Sequence, residues 1–193
     1  MLEKAALDDA QKRSLARVTS NARRIDRMIK DLLDYTRARI DRALPIERRE
    51  IDLLEVCKQA VDELQLLNPG RVFRLDCEGP MGGSFDPDRV ARVVSNLVNN
   101  ALRYGDPNAP IDVSLRRTSA GIMLEVHNQG QPISPELLPH VFEAFQRGPD
   151  AGGDGLGLGL FIVKQIVEAH GGSIAVRSTQ AEGTTFSVLW PAS

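Results

Sequence analysis

Three asparagines fall within five residues of the stretch "DRVARVVSNLVNNALRYG", where Asn96 and Asn100 stand four apart. On a helix that spacing sets both carboxamides one turn apart on a shared face with Arg92 and Arg103, while Val90, Val94, Leu97 and Ala101 line another. Asparagine is a poor helix former, so the set asks for a reason beyond surface indifference. A carboxamide oxygen is a hard, neutral ligand suited to a Mg²⁺ ion that already carries phosphates and waters. A neighbouring arginine would offset phosphate charge, and Tyr104 would give a base a flat apolar wall.

The second stretch with chemistry in its spacing is "GLGLGL", residues 155–160, ahead of the amphipathic "FIVKQIVEAHGG". No GK[ST] follows it, as a Walker loop requires; GxGxxG fails because position 160 is Leu and no strand precedes. Closely spaced glycines instead let successive N–H groups converge on an oxygen-rich anion where a helix begins and its dipole helps. The leucines between them fold under the loop as anchors.

Elements must hold these two stretches together. Leu15, Val18, Ala22, Ile25, Ile29, Leu32 and Thr36 step by three and four, the seam of a long helix over 11–40 that pairs with other helices. Pro45 bars its continuation. Residues 52–67 read as a second helix with an Asp cap, 73–77 as a strand, "EGPMGGSFDPD" as a loop and Pro87–Tyr104 as a third helix. Ile111, Val113, Leu115 and Ile122, Leu124, Val126 alternate as an antiparallel hairpin. The last helix ends at "HGG", where Gly171 or Gly172 supplies a left-handed cap, and "SIAVRS" and "TTFSVLW" are strands with Phe186, Val188 and Trp190 on one side. Without a βαβ rhythm this predicts an α+β two-layer sandwich rather than a doubly wound sheet.

At 193 residues and 42% hydrophobic the chain holds at most two folding units. A net charge of -2 gives no general attraction to nucleic acid or anionic membrane. Residues 1–50 carry 13 Lys/Arg against 9 Asp/Glu, a mildly basic arm that is either a solvated helix face or a docking surface for an acidic partner. With no apolar run near the roughly 20 residues that span a bilayer and no signal-peptide core, the expected location is cytoplasmic, the full-length protein being free to carry a membrane tether. Cys57 and Cys77 lack metal-ligand spacing and are expected as reduced, packed thiols.

In this order and spacing, "NLVNNALRYG", "VHNQGQPI", "FEAFQRG", "GLGLGLFIVKQIVEAHGG" and "EGTTF" resemble the N, G1, F, G2 and terminal boxes of sensor histidine kinases of two-component systems. Those boxes belong to the GHKL (Bergerat) ATP-binding fold shared with DNA gyrase and MutL, and "RRIDRMIKDLLDYTRARI" resembles the second helix of the kinases' dimerization and phosphotransfer hairpin. The resemblance implies a partial hairpin region over 1–45 and a catalytic ATP-binding domain over 46–193, with a mixed, mostly antiparallel sheet packed on helices. It implies ATP and Mg²⁺ as cofactors, with Asn100 on the metal and Asn96 near the phosphates in a catalytic position. Arg103 takes the place of a phosphate-contacting basic residue, Tyr104 lies by the adenine and Arg147 reaches toward the γ-phosphate as a second catalytic group. Gly155, Gly157 and Gly159 shape the hinge of a lid, Leu156 and Leu158 belong to the same nucleotide-contacting run, and Thr184 and Thr185 lie near the base.

Three departures qualify that pattern. The G1 box usually reads D-x-G-x-G, its Asp accepting a hydrogen bond from the adenine amino group; here Asn128 stands in the aspartate's place, followed by Gly130 and by Pro132 where a glycine is usual. An asparagine oxygen still accepts that bond but forgoes the charge-assisted part, so weakened rather than abolished binding is expected. In the last box Ala181 replaces a glycine. Finally, the histidines are His127, His140 and His170, with none in residues 1–50, where the kinases carry their phosphoacceptor. The expectation is that residue 1 falls just before the second hairpin helix, in a piece of a longer protein or in one that lost its acceptor.

The resemblance therefore implies Mg-ATP binding for phosphoryl transfer to a histidine absent from this chain. The acceptor would sit on a phosphotransfer helix of the same full-length protein or of a partner. A response-regulator receiver domain would be a further partner, with homodimerization through the N-terminal helix and no role for nucleic acid. The rival reading is a regulatory module that keeps the fold without turnover and associates with other kinases through that helix.

Overall fold

A computed structural model describes residues 8–40, 44–146, 148 and 156–191 of the chain. Helix α1 (Asp9–Ile40) leads into a short strand β1 (Arg49–Asp52), helix α2 (Leu53–Leu67), strands β2 (Phe73–Glu78) and β3 (Gly82–Phe85) and helix α3 (Pro87–Tyr104). The hairpin β4 (Ile111–Thr118) and β5 (Gly121–Asn128) follows, then a 3₁₀ turn at Leu138–His140, helix α4 (Gly159–Ala169) and strands β6 (Ser173–Thr179) and β7 (Gly183–Pro191). Among the described residues no helix is long and apolar enough to cross a membrane.

Five strands form one sheet in the order β2-β4-β5-β7-β6, with β2 parallel to β4 and every other pairing antiparallel. The register pairs Ile111 with Asn128 and Asn128 with Thr184, so these two polar side chains lie next to one another across β5 and β7. Alternation makes the sheet one-sided. Ile122, Leu124, Val126, Phe186, Val188 and Trp190 are buried against the helices, and Met123, Glu125, Thr185 and Ser187 on the other face are half-buried. This is the two-layer α+β sandwich the pattern predicts.

Helix α3 is the central beam. Asp86 caps it, its carboxylate accepting from Arg89 N at 3.1 Å, and Pro87 occupies the first helical position, where no N–H is needed. Val90, Val93, Val94, Leu97, Val98 and Ala101 are buried in steps of three and four. Four of those six are valines, which resist the helical rotamer, so tertiary burial sustains this helix: a fully buried valine or leucine contributes about 1.5–3 kcal/mol. Helix α2 has the expected Asp52 cap, its side chain accepting from Leu54 N. Helix α4 ends where Gly171 takes φ +77°, which assigns the left-handed cap to the first glycine of the pair.

Two expectations are corrected. The loop "EGPMGGSFDPD" contains β3, which pairs antiparallel with β1 as a separate two-stranded ribbon. Four-residue strands with adjacent glycines and no alternation leave little trace in sequence. Cys77 is exposed rather than packed, lying in the exposed second half of β2 at the edge of the sheet; Cys57 on α2 is buried as expected. On α1, Leu15, Val18, Ile25, Ile29 and Leu32 are all about half exposed or more, so the seam faces away from the sandwich. Its opposite side docks through Asp31, Asp34 and Tyr35.

Candidate functional site

Between α3, the start of α4 and the ends of β5 and β7 lies a cavity of about 1650 Å³. Asn96 and Asn100 line it together, as the i, i+4 spacing requires, and Asn99 joins them with its Nδ2 bonded to Ser95 O at 2.7 Å. Across the cavity mouth, Asn96 Nδ2 donates to Gly159 O at 3.3 Å, and a Cβ placed on Gly159 would stand 3.6 Å from Asn96 Oδ1. The asparagine face and the glycine run meet.

Gly157 is the glycine of the run whose backbone requires the missing side chain, which spacing alone could not rank. Its φ is +70°, its carbonyl accepts from Phe145 N at 2.9 Å, and a Cβ there would come within 2.7 Å of Gln146 O. It joins the turn at Phe145 and Gln146 to the base of α4. Leu158 is buried as an anchor and occupies the N-cap of α4 without a side-chain hydrogen bond, so the first-turn N–H groups have no cap from that side chain. Leu156 lines the wall. Arg147 and Gly155 lie outside the described residues.

The other end is largely apolar. Tyr104, Ile133, Leu137, Val141 and Phe186 supply apolar walls, and Asn128 and Thr184 are its buried polar side chains. Asn128 Nδ2 donates to Gln129 O at 3.1 Å, and Thr184 Oγ1 shares a 2.7 Å hydrogen bond with Ser178 Oγ. Gly130, at φ +148°, bridges to Gly105; a Cβ on Gly130 would sit 2.7 Å from Tyr104 O, so only glycine lets the two loops close here. Arg103 lies on the cavity wall with its guanidinium carbon 5.4 Å from the Tyr104 ring centre.

Thr185 is a correction. Adjacent strand residues point to opposite faces, so with Thr184 and Phe186 lining the cavity Thr185 turns to the other side of the sheet, where its hydroxyl meets His127 Nδ1 at 3.0 Å. The other histidines are also structurally engaged. His140 Nδ1 lies 2.8 Å from Glu143, and buried His170 joins Asp86 N to Ile166 O.

Arg92 shares the asparagine face and lines the cavity, yet its guanidinium is bonded to Asp31 and Asp34 of α1, and Asp34 also takes Arg89 Nη1 at 2.8 Å. This cluster was not expected from the sequence. The signal was available, since Asp31/Asp34 and Arg89/Arg92 are both i, i+3 pairs of one sign.

Asn96 and Asn100 suit a cation shared with phosphate: both are neutral oxygen donors, and they cannot by themselves satisfy a bare divalent ion. A one-sided α+β sandwich with an asparagine-bearing helix facing a glycine turn, and a half-apolar slot beyond, defines a nucleotide-binding domain. The family model described as histidine kinase-, DNA gyrase B- and HSP90-like ATPase matches residues 85–193, more than half the chain, and the chain belongs to that family. Sensor protein SrrB of Staphylococcus aureus is 36% identical over 95% of the chain, which spans about a third (32%) of that relative's length. Among solved structures, the mycobacterial sensor histidine kinase MprB superposes with a TM-score of 0.68 at 28% identity, covering 74% of this chain and 97% of that one. Acinetobacter baumannii histidine kinase AdeS shares the fold, with a TM-score of 0.73 at 21% identity, covering 96% of this chain and 86% of that one. The chain is thus an ATPase-family domain of the sensor histidine kinase kind.

Proposed function

We propose that the chain binds Mg-ATP between α3 and the glycine run and serves as the catalytic domain of a sensor histidine kinase, passing the γ-phosphoryl group to an imidazole it does not itself carry. The observation that carries this reading is the contact of Asn96 with Gly159, which brings the carboxamide face and the uncapped start of α4 to one end of one cavity. Asn100 and Asn96 would hold the magnesium with phosphate oxygens, and the ion would neutralise charge on the transferring group. Arg103 and the α4 amides orient the triphosphate, and Arg147 is assigned to its outer end. Tyr104, Asn128, Gly130 and Thr184 hold the base, the apolar walls excluding water.

Residues 1–45 belong to the dimerization and phosphotransfer region and 46–193 to the catalytic domain. The half-exposed seam on α1 supports pairing with a second copy, since an apolar stripe of that length is costly to leave in water. A receiver domain would take the phosphoryl group onward, on the cytoplasmic side.

Calorimetric titration with ATP, with and without Mg²⁺, tests the nucleotide half: saturable binding tightened by the metal, with the metal effect lost in Asn100→Ala, is expected. Radiolabelled ATP with a polypeptide bearing the first hairpin helix tests the transfer half through acid-labile phosphate. Absence of any metal-dependent binding would leave a regulatory module of the same fold.

A further inference from the structure

We infer that Arg92 is a contact for the terminal phosphate of ATP, and that Asp31 of α1 competes with the nucleotide for its guanidinium. The inference rests on the nucleotide reading of the cavity and adds a further residue, with its control, to the phosphate end.

The cavity-lining face of α3 runs from Tyr104 back through Asn100 and Asn96 to Arg92, and each four-residue step along it covers about 6 Å. Tyr104 and Asn128 stand at one end of that line, and Asn96 meets Gly159 further along it. A nucleotide with its base at Tyr104 and its phosphates at the glycine run therefore points its last phosphate past Asn96. Arg92 is the next residue on that face, one turn beyond.

Both terminal nitrogens of Arg92 are engaged by α1, Nη2 donating to Asp31 at 2.7 Å and Nη1 to Asp34. These bonds can be exchanged at little cost. Asp34 Oδ2, the oxygen that Arg92 meets, also accepts from Arg89 Nη1 at 2.8 Å, so the buried carboxylate keeps a cation when Arg92 leaves it. Arg89 is not among the cavity-lining residues and stays as the anchor of Asp34. Two guanidinium groups sharing one oxygen repel each other, and parting them relieves that repulsion. Asp31 is partly exposed on the cavity wall, where water can replace the lost donor. A terminal phosphate presents two oxygens to the guanidinium fork at once and carries more negative charge than a carboxylate. The carboxylates of α1 thus hold Arg92 back, and Asp31 is the one whose removal frees it without undoing the Arg89 pair.

The test is calorimetric titration of the chain, of Asp31→Asn, of Arg92→Gln and of the double variant with Mg-ATP and Mg-ADP. ADP lacks the terminal phosphate, so the ratio of the two affinities isolates this contact. Asp31→Asn is expected to raise the preference for ATP about 5-fold and Arg92→Gln to lower it about 10-fold, with ADP affinity within about 2-fold of wild type in both. Added to Arg92→Gln, the Asp31→Asn change should have no further effect, because the carboxylate acts through Arg92. Arg92→Lys, which keeps the charge without the fork, should fall between and gives the reading if Arg92→Gln fails to fold. Equal changes in ATP and ADP affinity in Arg92→Gln, or no change in either, would make Arg92 a structural tie between α1 and α3 and overturn the inference. Tightening by Asp31→Asn that persists in the Arg92→Gln background would also overturn it, since that marks a charge acting through space. Both of those results leave the nucleotide site standing. No saturable binding of ATP or ADP overturns the inference and the nucleotide reading together.

Discussion

Arg92 Nη2 reaches from α3 to donate to Asp31 of α1 at 2.7 Å, tying the N-terminal helix to the same helix that carries Asn96 one turn further on. Its other terminal nitrogen meets Asp34, which is only 4% exposed and also holds Arg89. Beside this cluster the Tyr35 ring stands edge-on to Phe145 at 5.1 Å and tilted to Phe161 at 5.5 Å. Helix α1 is thus docked by an ionic and an aromatic contact, one on the asparagine helix and one on the turn that holds the glycine run.

Asp34→Ala leaves two guanidinium groups facing each other with their shared acceptor gone. Charge-assisted hydrogen bonds of this kind contribute about 1.5–3 kcal/mol, so docking of α1 should weaken by about 2 kcal/mol. Hydrogen exchange is expected to accelerate across residues 28–40 while β5 and β7 keep their protection. Unchanged exchange in α1 would show that the aromatic contact alone holds it.

Gly157→Ala should cost more than its single methyl suggests. Alanine at φ +70° pays about 1–2 kcal/mol for the left-handed conformation, and its Cβ must also displace Gln146 O from 2.7 Å. The expected result is a lowered unfolding midpoint and weakened nucleotide binding, against no effect for Gly70→Ala, whose Cβ would meet nothing within 4 Å. Equal midpoints for the two variants would show that the left-handed turn at Gly157 tolerates a side chain.

What sequence revealed and what it hid follow from the range of the interactions. The bounds of α3 were legible because Asp86, Pro87 and a six-residue apolar stripe all act within the helix itself. The meeting of Asn96 with Gly159 is 63 residues apart in the chain and was reached only through the order of motifs. Thr184 and Thr185 were inseparable by motif and separated by strand alternation once the register of β7 on β5 was fixed. The ribbon of β1 with β3 is stabilised by pairing across the chain rather than by any local preference, so its sequences read as boundary and loop.

The two cysteines should differ sharply in reactivity. Burial, with smaller contributions from Cys77 and Asp52, pushes the Cys57 thiol up to about 12, so almost no thiolate forms near neutrality and no reagent reaches it. Cys77 is exposed, though burial of its surroundings and Asp52 also raise its thiol. Iodoacetamide on the native chain is expected to label Cys77 slowly and Cys57 only after unfolding, as read by peptide mass spectrometry. Labelling of Cys57 at a comparable native rate would contradict the packing of α2 on the sheet.

His170 makes stability depend on pH in a defined direction. Its Nε2 accepts from Asp86 N at 3.1 Å and its Nδ1 lies 2.8 Å from Ile166 O, an arrangement that fits only the neutral ring protonated on Nδ1. A second proton would set an N–H against the Asp86 N–H, at the residue that caps α3. Burial pushes the imidazole below its usual range, the bond to Ile166 opposing in part. Because the unfolded ring titrates near about 6.5 and the folded ring lower, this contribution is fully present above that pH, and it falls away as pH drops from about 6.5 toward the folded value. Urea unfolding at pH 8 and pH 5.5 should therefore find His170→Ala less stable than wild type at the higher pH, with the gap narrowing at the lower. A gap that stays constant, or widens on acidification, would mean that the folded ring carries the second proton and that the cap on α3 is held some other way.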